Sequence, residues 1–165
     1  MEERVSRLIT LLSEKESALQ ELLQLLEEER ISLLHHDMNK LQSQAKRKLE
    51  LYGQLTSSAR LCRQLIDQLA TDAGVAGVGS LSPLLPFLPE AERETLQGLQ
   101  ARLLEQGSAM LKRSAFNGHL IQGALLTVTR SLEFFGRILS RSNTYGASGR
   151  LVKGASAPRL LRREA

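Results

Sequence analysis

The chain has 165 residues, room for one domain. Apolar residues make up 42 % but aromatics only 4 %, with no Trp, a mix that suits long helices and excludes a thick globular core. The formal charge of +4 is unevenly spread: residues 137–165 carry seven Arg/Lys against one Glu, whereas residues 1–136 carry fifteen Arg/Lys against seventeen acidic residues.

Cys62 is the only cysteine, which excludes an intramolecular disulfide and suits a reducing compartment. The start, Met1-Glu2-Glu3-Arg4, lacks the apolar run of a signal peptide, and no apolar stretch has the length of a membrane span. The expected location is the cytoplasm. The basic end could touch nucleic acid or an anionic membrane, but the body offers no basic stripe with interleaved aromatics to extend such a footprint.

Residues 2–72 contain no Pro and one Gly, Gly53. A first apolar row, Val5, Leu8, Leu12, Leu19, Leu22, Leu26 and Leu33, is followed by Met38, Leu41, Ala45, Tyr52, Leu55, Ala59, Cys62, Ile66 and Leu69. Both have the 3–4 spacing of a coiled-coil seam, and their phases differ at His35-His36-Asp37. That offset is read as either an irregularity in one helix or a break between helices over 2–34 and 37–72, with Asp37 capping the second. The Glu27-Glu28-Glu29-Arg30 run reads as a solvated face.

Gly74, Gly77 and Gly79 make 73–89 a loop. It has no GxxxxGK[ST] pattern and follows a helix, so it is not a phosphate cradle. Leu84, Leu85, Phe87 and Leu88 between Ser82-Pro83 and Pro89-Glu90 read as a short apolar turn plugging one end of the assembly.

The last helix is expected over 90–140, with a seam through Leu96, Leu99, Leu103, Gln106, Met110, Asn117, Ile121, Ala124, Val128, Leu132, Phe135 and Leu139. Five glycines soften it, each costing about 1 kcal/mol against Ala in an exposed helix interior. Around 117–139 it has more apolar surface than one stripe needs. Ile121, Ala124, Leu125, Val128, Leu132, Phe135 and Leu139 form a stripe wide enough to pack on the first helix. Leu120, Phe134 and Ile138, with Thr127, form a second, partly apolar flank that suits either a third helix of the bundle or a partner.

The expectation is an all-α fold: an elongated antiparallel hairpin or coiled-coil-like bundle of two to three long helices. One domain over 1–141 precedes a disordered basic tail over 142–165. No chemistry emerges beside it. Adjacent His35 and His36 diverge by about 100° on a helix and cannot share a metal from one face. Cys62 has no histidine near it in sequence, and no hydrolase motif is present. No enzyme activity, cofactor or metal is expected.

Asn117-Gly118-x-Leu120-Ile121-x-Gly123 and Tyr145-Gly146-Ala147-Ser148-Gly149 resemble two patterns of the flagellar export chaperone family FlgN, with Ser148 where that family usually has Asp. The resemblance implies a small helical bacterial chaperone that holds hook-associated proteins, the subunits of the hook–filament junction, until their secretion. It implies that Asn117, Leu120, Ile121, Gln122, Thr127, Phe134 and Ile138 bind a terminal amphipathic segment of the substrate. It also implies that Tyr145, Gly146 and Gly149 help dock the loaded chaperone on the export gate. Exposed seams would allow a homodimer that the substrate displaces. Neither nucleic acid nor stable membrane insertion is expected. The competing reading is a non-enzymatic coiled-coil adaptor or scaffold with a basic tail.

Overall fold

A computed structural model describes residues 2–75 and 80–141, with side chains through residue 138. Every regular element among the described residues is helical: α1 (Glu2–Leu34), α2 (Met38–Asp72), a 3-10 turn (Ser82–Phe87) and α3 (Glu90–Arg141). The tail expected over 142–165 lies outside the described residues. The chain divides into two compact units, Met1–Leu120 and Ile121–Ala165, and each is described by itself.

In the first unit, α1 and α2 are separate helices joined at the point where the two apolar rows lose phase. Two bonds close the end of α1: Asp37 N–H donates to Ser32 O at 3.0 Å and His36 N–H to Leu33 O at 3.4 Å. This Schellman pattern requires a left-handed residue between them, and His36 supplies it at φ 56°. The end of α2 repeats the pattern, with Val75 N–H to Ala70 O at 2.9 Å and Gly74 N–H to Thr71 O at 3.2 Å. There the left-handed residue is Gly74, at φ 68°. Asp37 then starts α2, its Oδ1 accepting from the Lys40 N–H at 3.1 Å, the cap expected of it.

The two helices run antiparallel. Arg4 pairs with Asp72 at one end, and Arg47 with Glu21 towards the other. The α1 row is close to expectation, with Val5, Leu8, Leu12, Leu19, Leu22 and Leu26 buried. The first half of the α2 row is not. Met38 and Ala45 are exposed, and the buried positions are Gln44 and Leu51, then Cys62, Leu65 and Leu69. The true row includes polar members that a hydrophobic pattern skips. Lys48 reaches Glu29, and Ser58 Oγ donates to Leu11 O at 3.5 Å.

From Glu90 to Leu120, α3 runs parallel to α1. Arg102 pairs with Glu16, Arg113 Nη1 donates to Leu23 O at 2.9 Å, and Asn117 reaches Leu26 and Glu29. Two apolar clusters hold this unit. One gathers Val5, Leu8 and Leu12 with Leu65, Leu69, Leu96 and Leu99, closed by Leu81, Leu84, Leu85 and Leu88. Three of the four expected plug residues are therefore buried, and Phe87 is exposed. The other cluster joins Leu22, Leu25 and Leu26 to Leu51, with Met110 against it. Lining residues of both clusters border a groove of about 580 Å³. Its walls include Thr56, Ala59 and Gly107, small side chains that leave the space between three helices unfilled.

Within Ile121–Ala165, the described part is the remainder of α3. Each of residues 121–138 is exposed. The stripe expected to hold the hairpin, Ile121, Ala124, Leu125, Val128, Leu132 and Phe135, is not a core. Within the first unit, paired residues of α1 and α3 are 86 to 91 apart in sequence, and that pairing already takes up α1 as far as Glu29, near its end at Leu34.

Candidate partner-binding face

Residues 120–138 carry two apolar rows rather than one stripe and a flank. At about 100° per residue, Leu120, Ala124, Thr127, Ser131, Phe134 and Ile138 form one row with strict 3–4 spacing. Ile121, Leu125, Val128, Leu132 and Phe135 form a second, displaced by one residue. In sequence, the first row continues without a phase change from Leu96, Leu99, Leu103, Gln106, Met110 and Asn117, the row α3 uses within the first unit. Together the two rows cover about 180° of the helix.

The polar members of the first row are less polar than their names. Thr127 Oγ1 donates to Gly123 O at 3.0 Å and Ser131 Oγ to Thr127 O at 2.9 Å. With their protons engaged by the helix's own carbonyls, these side chains present mainly carbon outward. At the far end, Phe134 and Phe135 meet edge to face, ring centroids 5.7 Å apart, and tie the rows together. Opposite lie Gln122, Thr129, Arg130, Glu133 and Arg137, a mainly polar strip interrupted by the exposed Leu126. Leu132 is 68 % exposed and Phe134 60 % exposed, far more apolar area than a solvent-facing helix requires.

The seven residues expected to bind substrate do not form one set. Leu120, Thr127, Phe134 and Ile138 share the first row, Ile121 lies on the second, and Gln122 sits at the polar margin. Asn117 stands apart. It is 2 % exposed, and its Nδ2 donates to Leu26 O at 2.8 Å and Glu29 Oε2 at 2.9 Å. Its side chain anchors α3 to α1. Tyr145, Gly146 and Gly149 lie outside the described residues.

Pattern reading missed the residues that receive Asn117. Glu29, 4 % exposed, accepts from Asn117 on α3 and pairs with Lys48 on α2. The charge run at 27–30 is therefore not wholly a solvated face. The signal was available: Leu19, Leu22, Leu26 and Glu29 continue one 3–4 row, so position 29 had to face the bundle. An Asn on the facing row of α3 marks the same layer.

The other chemical candidates have local explanations. His35 Nδ1 lies 2.8 Å from Ile31 O, on the last turn of α1. Cys62 is buried in the first apolar cluster, and that burial pushes its thiol pKa up, with the Lys15 charge pulling the other way. Among the described residues there is no group of three or more His, Cys, Asp or Glu placed to hold a metal, and no helix long and apolar enough to cross a membrane.

Against known proteins, no curated protein and no solved structure matches the chain. One family model does, described as FlgN protein, over residues 1–153. That span takes in the whole of the first unit, the two-row face and the Tyr145 segment, and the chain belongs to the FlgN family of flagellar export chaperones.

Proposed function

We propose that this protein is a cytoplasmic chaperone of flagellar type III secretion that binds hook-associated proteins through residues 120–138 of α3. The observation that carries the reading is the exposed apolar face of residues 121–138 in a member of an export-chaperone family. An apolar helix face takes up an amphipathic helix through i, i+3, i+4 and i+7 anchors. Leu120, Ala124, Thr127, Ser131, Phe134 and Ile138 provide that spacing. Covering the terminal segments of junction subunits keeps those segments from associating with one another. In this reading Asn117 acts indirectly, by fixing where the free segment of α3 begins.

Delivery is the second half of the proposal. Tyr145, with Gly146 and Gly149, docks the loaded chaperone on an export-gate component. One aromatic on a glycine-rich segment gives a small, quickly released contact of the kind a delivery step needs.

The test uses the purified chaperone and a purified hook-junction protein from the same bacterium. Changing Leu120, Phe134 and Ile138 together to Asp is expected to abolish binding while circular dichroism keeps its helical signal. Retained binding would move the substrate off this face. Tyr145→Ala is expected to leave substrate affinity intact and weaken gate docking, and unchanged docking would remove Tyr145 from delivery. A coiled-coil adaptor, by contrast, would bind a folded partner and retain no export substrate in a pull-down.

A further inference from the structure

The two rows of residues 120–138 say more than that a helix binds. A helix resting on one neighbour needs an apolar stripe of roughly 100°. Here the continuous apolar arc covers about twice that, from Leu125 at one margin to Phe134 at the other, nine residues and about half a turn apart, with Leu126 alone beyond it. Both margins are exposed, Leu125 at 62 %. One partner helix seated on either row leaves the other row in water.

We infer that this face takes two helices of the partner at once, side by side, one in each row. The inference rests on the proposal that the face binds an export substrate, and it specifies the form that substrate must present.

The other occupants fit less well. The chain's own residues 142–165 contain Leu151, Val152, Leu160 and Leu161 as their only large aliphatic residues, two isolated pairs with no 3–4 row. A second copy would bring the same two-row helix. Pairing α3 with α3 covers one row on each copy and leaves the other exposed on both. The residues flanking the second row, Gln122, Thr129 and Gly136 on one side and Ala124, Ser131 and Ile138 on the other, carry no charge that would pair the copies or set their direction. Two partner helices cover the whole arc. The rows also differ in depth. Ala124, Thr127 and Ser131 let one helix approach closely, whereas Leu125, Val128 and Leu132 hold the other further out.

The experiment places the photo-crosslinker p-benzoylphenylalanine at position 125 or position 134 of the full-length chaperone, with the full-length junction protein as partner. Adducts from the two positions are expected to map to two partner segments separated in sequence. Adducts from both positions to one continuous helical segment, or from one position only, overturn the two-helix inference and leave the proposed function standing. Adducts to a second chaperone chain also overturn it, in favour of a dimer. No adduct at either position sinks the proposed binding face together with the inference. In parallel, L125D/L132D and F134D/I138D are each expected to weaken binding at least tenfold with helicity retained. Loss from one pair alone would reduce the occupant to a single helix.

Discussion

Asn117 on α3 and Glu29 on α1 are joined by an Nδ2–H···Oε2 hydrogen bond of 2.9 Å in a layer nearly closed to solvent. Lys48 on α2 completes it, so one polar layer touches all three helices. Such a layer is costly to open from one side, because the remaining charge stays buried. Asn117→Ala is expected to destabilise the chain by about 1–3 kcal/mol, and Asn117→Asp by more, since two carboxylates then face each other. Urea unfolding followed by helical circular dichroism measures both. An unchanged midpoint would mean that the layer does not hold α3 in place.

The two Schellman ends permit a simple comparison. Gly74 adopts its left-handed conformation without a Cβ, whereas His36 adopts the same conformation with one. His36→Gly is expected to stabilise the chain by about 1 kcal/mol, partly offset by the greater freedom of glycine in the unfolded state. A fall in melting temperature would show that the His36 ring contributes more than its backbone costs.

Cys62 gives a pH signature. Burial raises its folded thiol pKa above the unfolded value of about 8.5. The folded state therefore favours the neutral thiol. That contribution is fully present below the unfolded pKa and is lost as pH rises through the folded one. Stability is expected to fall more steeply above about pH 8.5 in the parent chain than in Cys62→Ala. Alkylation at neutral pH should be slow until urea unfolds the first unit. Rapid labelling of the folded chain would contradict the burial.

Gly118 lies beside Asn117, and a Cβ built on it meets nothing within 4 Å. Gly118→Ala is expected to stabilise the free chain by up to about 1 kcal/mol, read as a higher melting temperature. If the same variant binds substrate more weakly, the partner's backbone must approach α3 at that point.

Single polar changes on the two-row face should leave the free chain nearly untouched. Leu132→Gln is expected to shift unfolding by no more than about 0.5 kcal/mol, because no burial is lost. A large shift would mean that Leu132 is covered in solution.

Periodicity made the helices legible, while the phase change at His35-His36-Asp37 allowed one irregular helix or two, and the left-handed His36 with the Asp37 cap separates them. Apolar spacing located most of the α1 row because Val5, Leu8, Leu12, Leu19, Leu22 and Leu26 are themselves apolar. It misplaced the start of the α2 row because Gln44 and Lys48 occupy inward positions where a hydrophobic pattern sees gaps. The failure at 121–135 had another cause. Periodicity says which residues share a face but not whether anything lies against it. Asn117 was legible as a motif residue, while its role depended on Glu29, 88 positions away in sequence.

The polar layer also acts as a ruler. Sliding α3 along α1 by one heptad would bring Met110 or Ala124 to Glu29, and neither side chain can donate a hydrogen bond. A single amide thus sets where the free stretch of α3 starts, and with it how many turns of helix remain for a guest. Moving that amide alone to position 110 would slide α3 by one heptad and lengthen the free stretch, without altering the surface that does the holding.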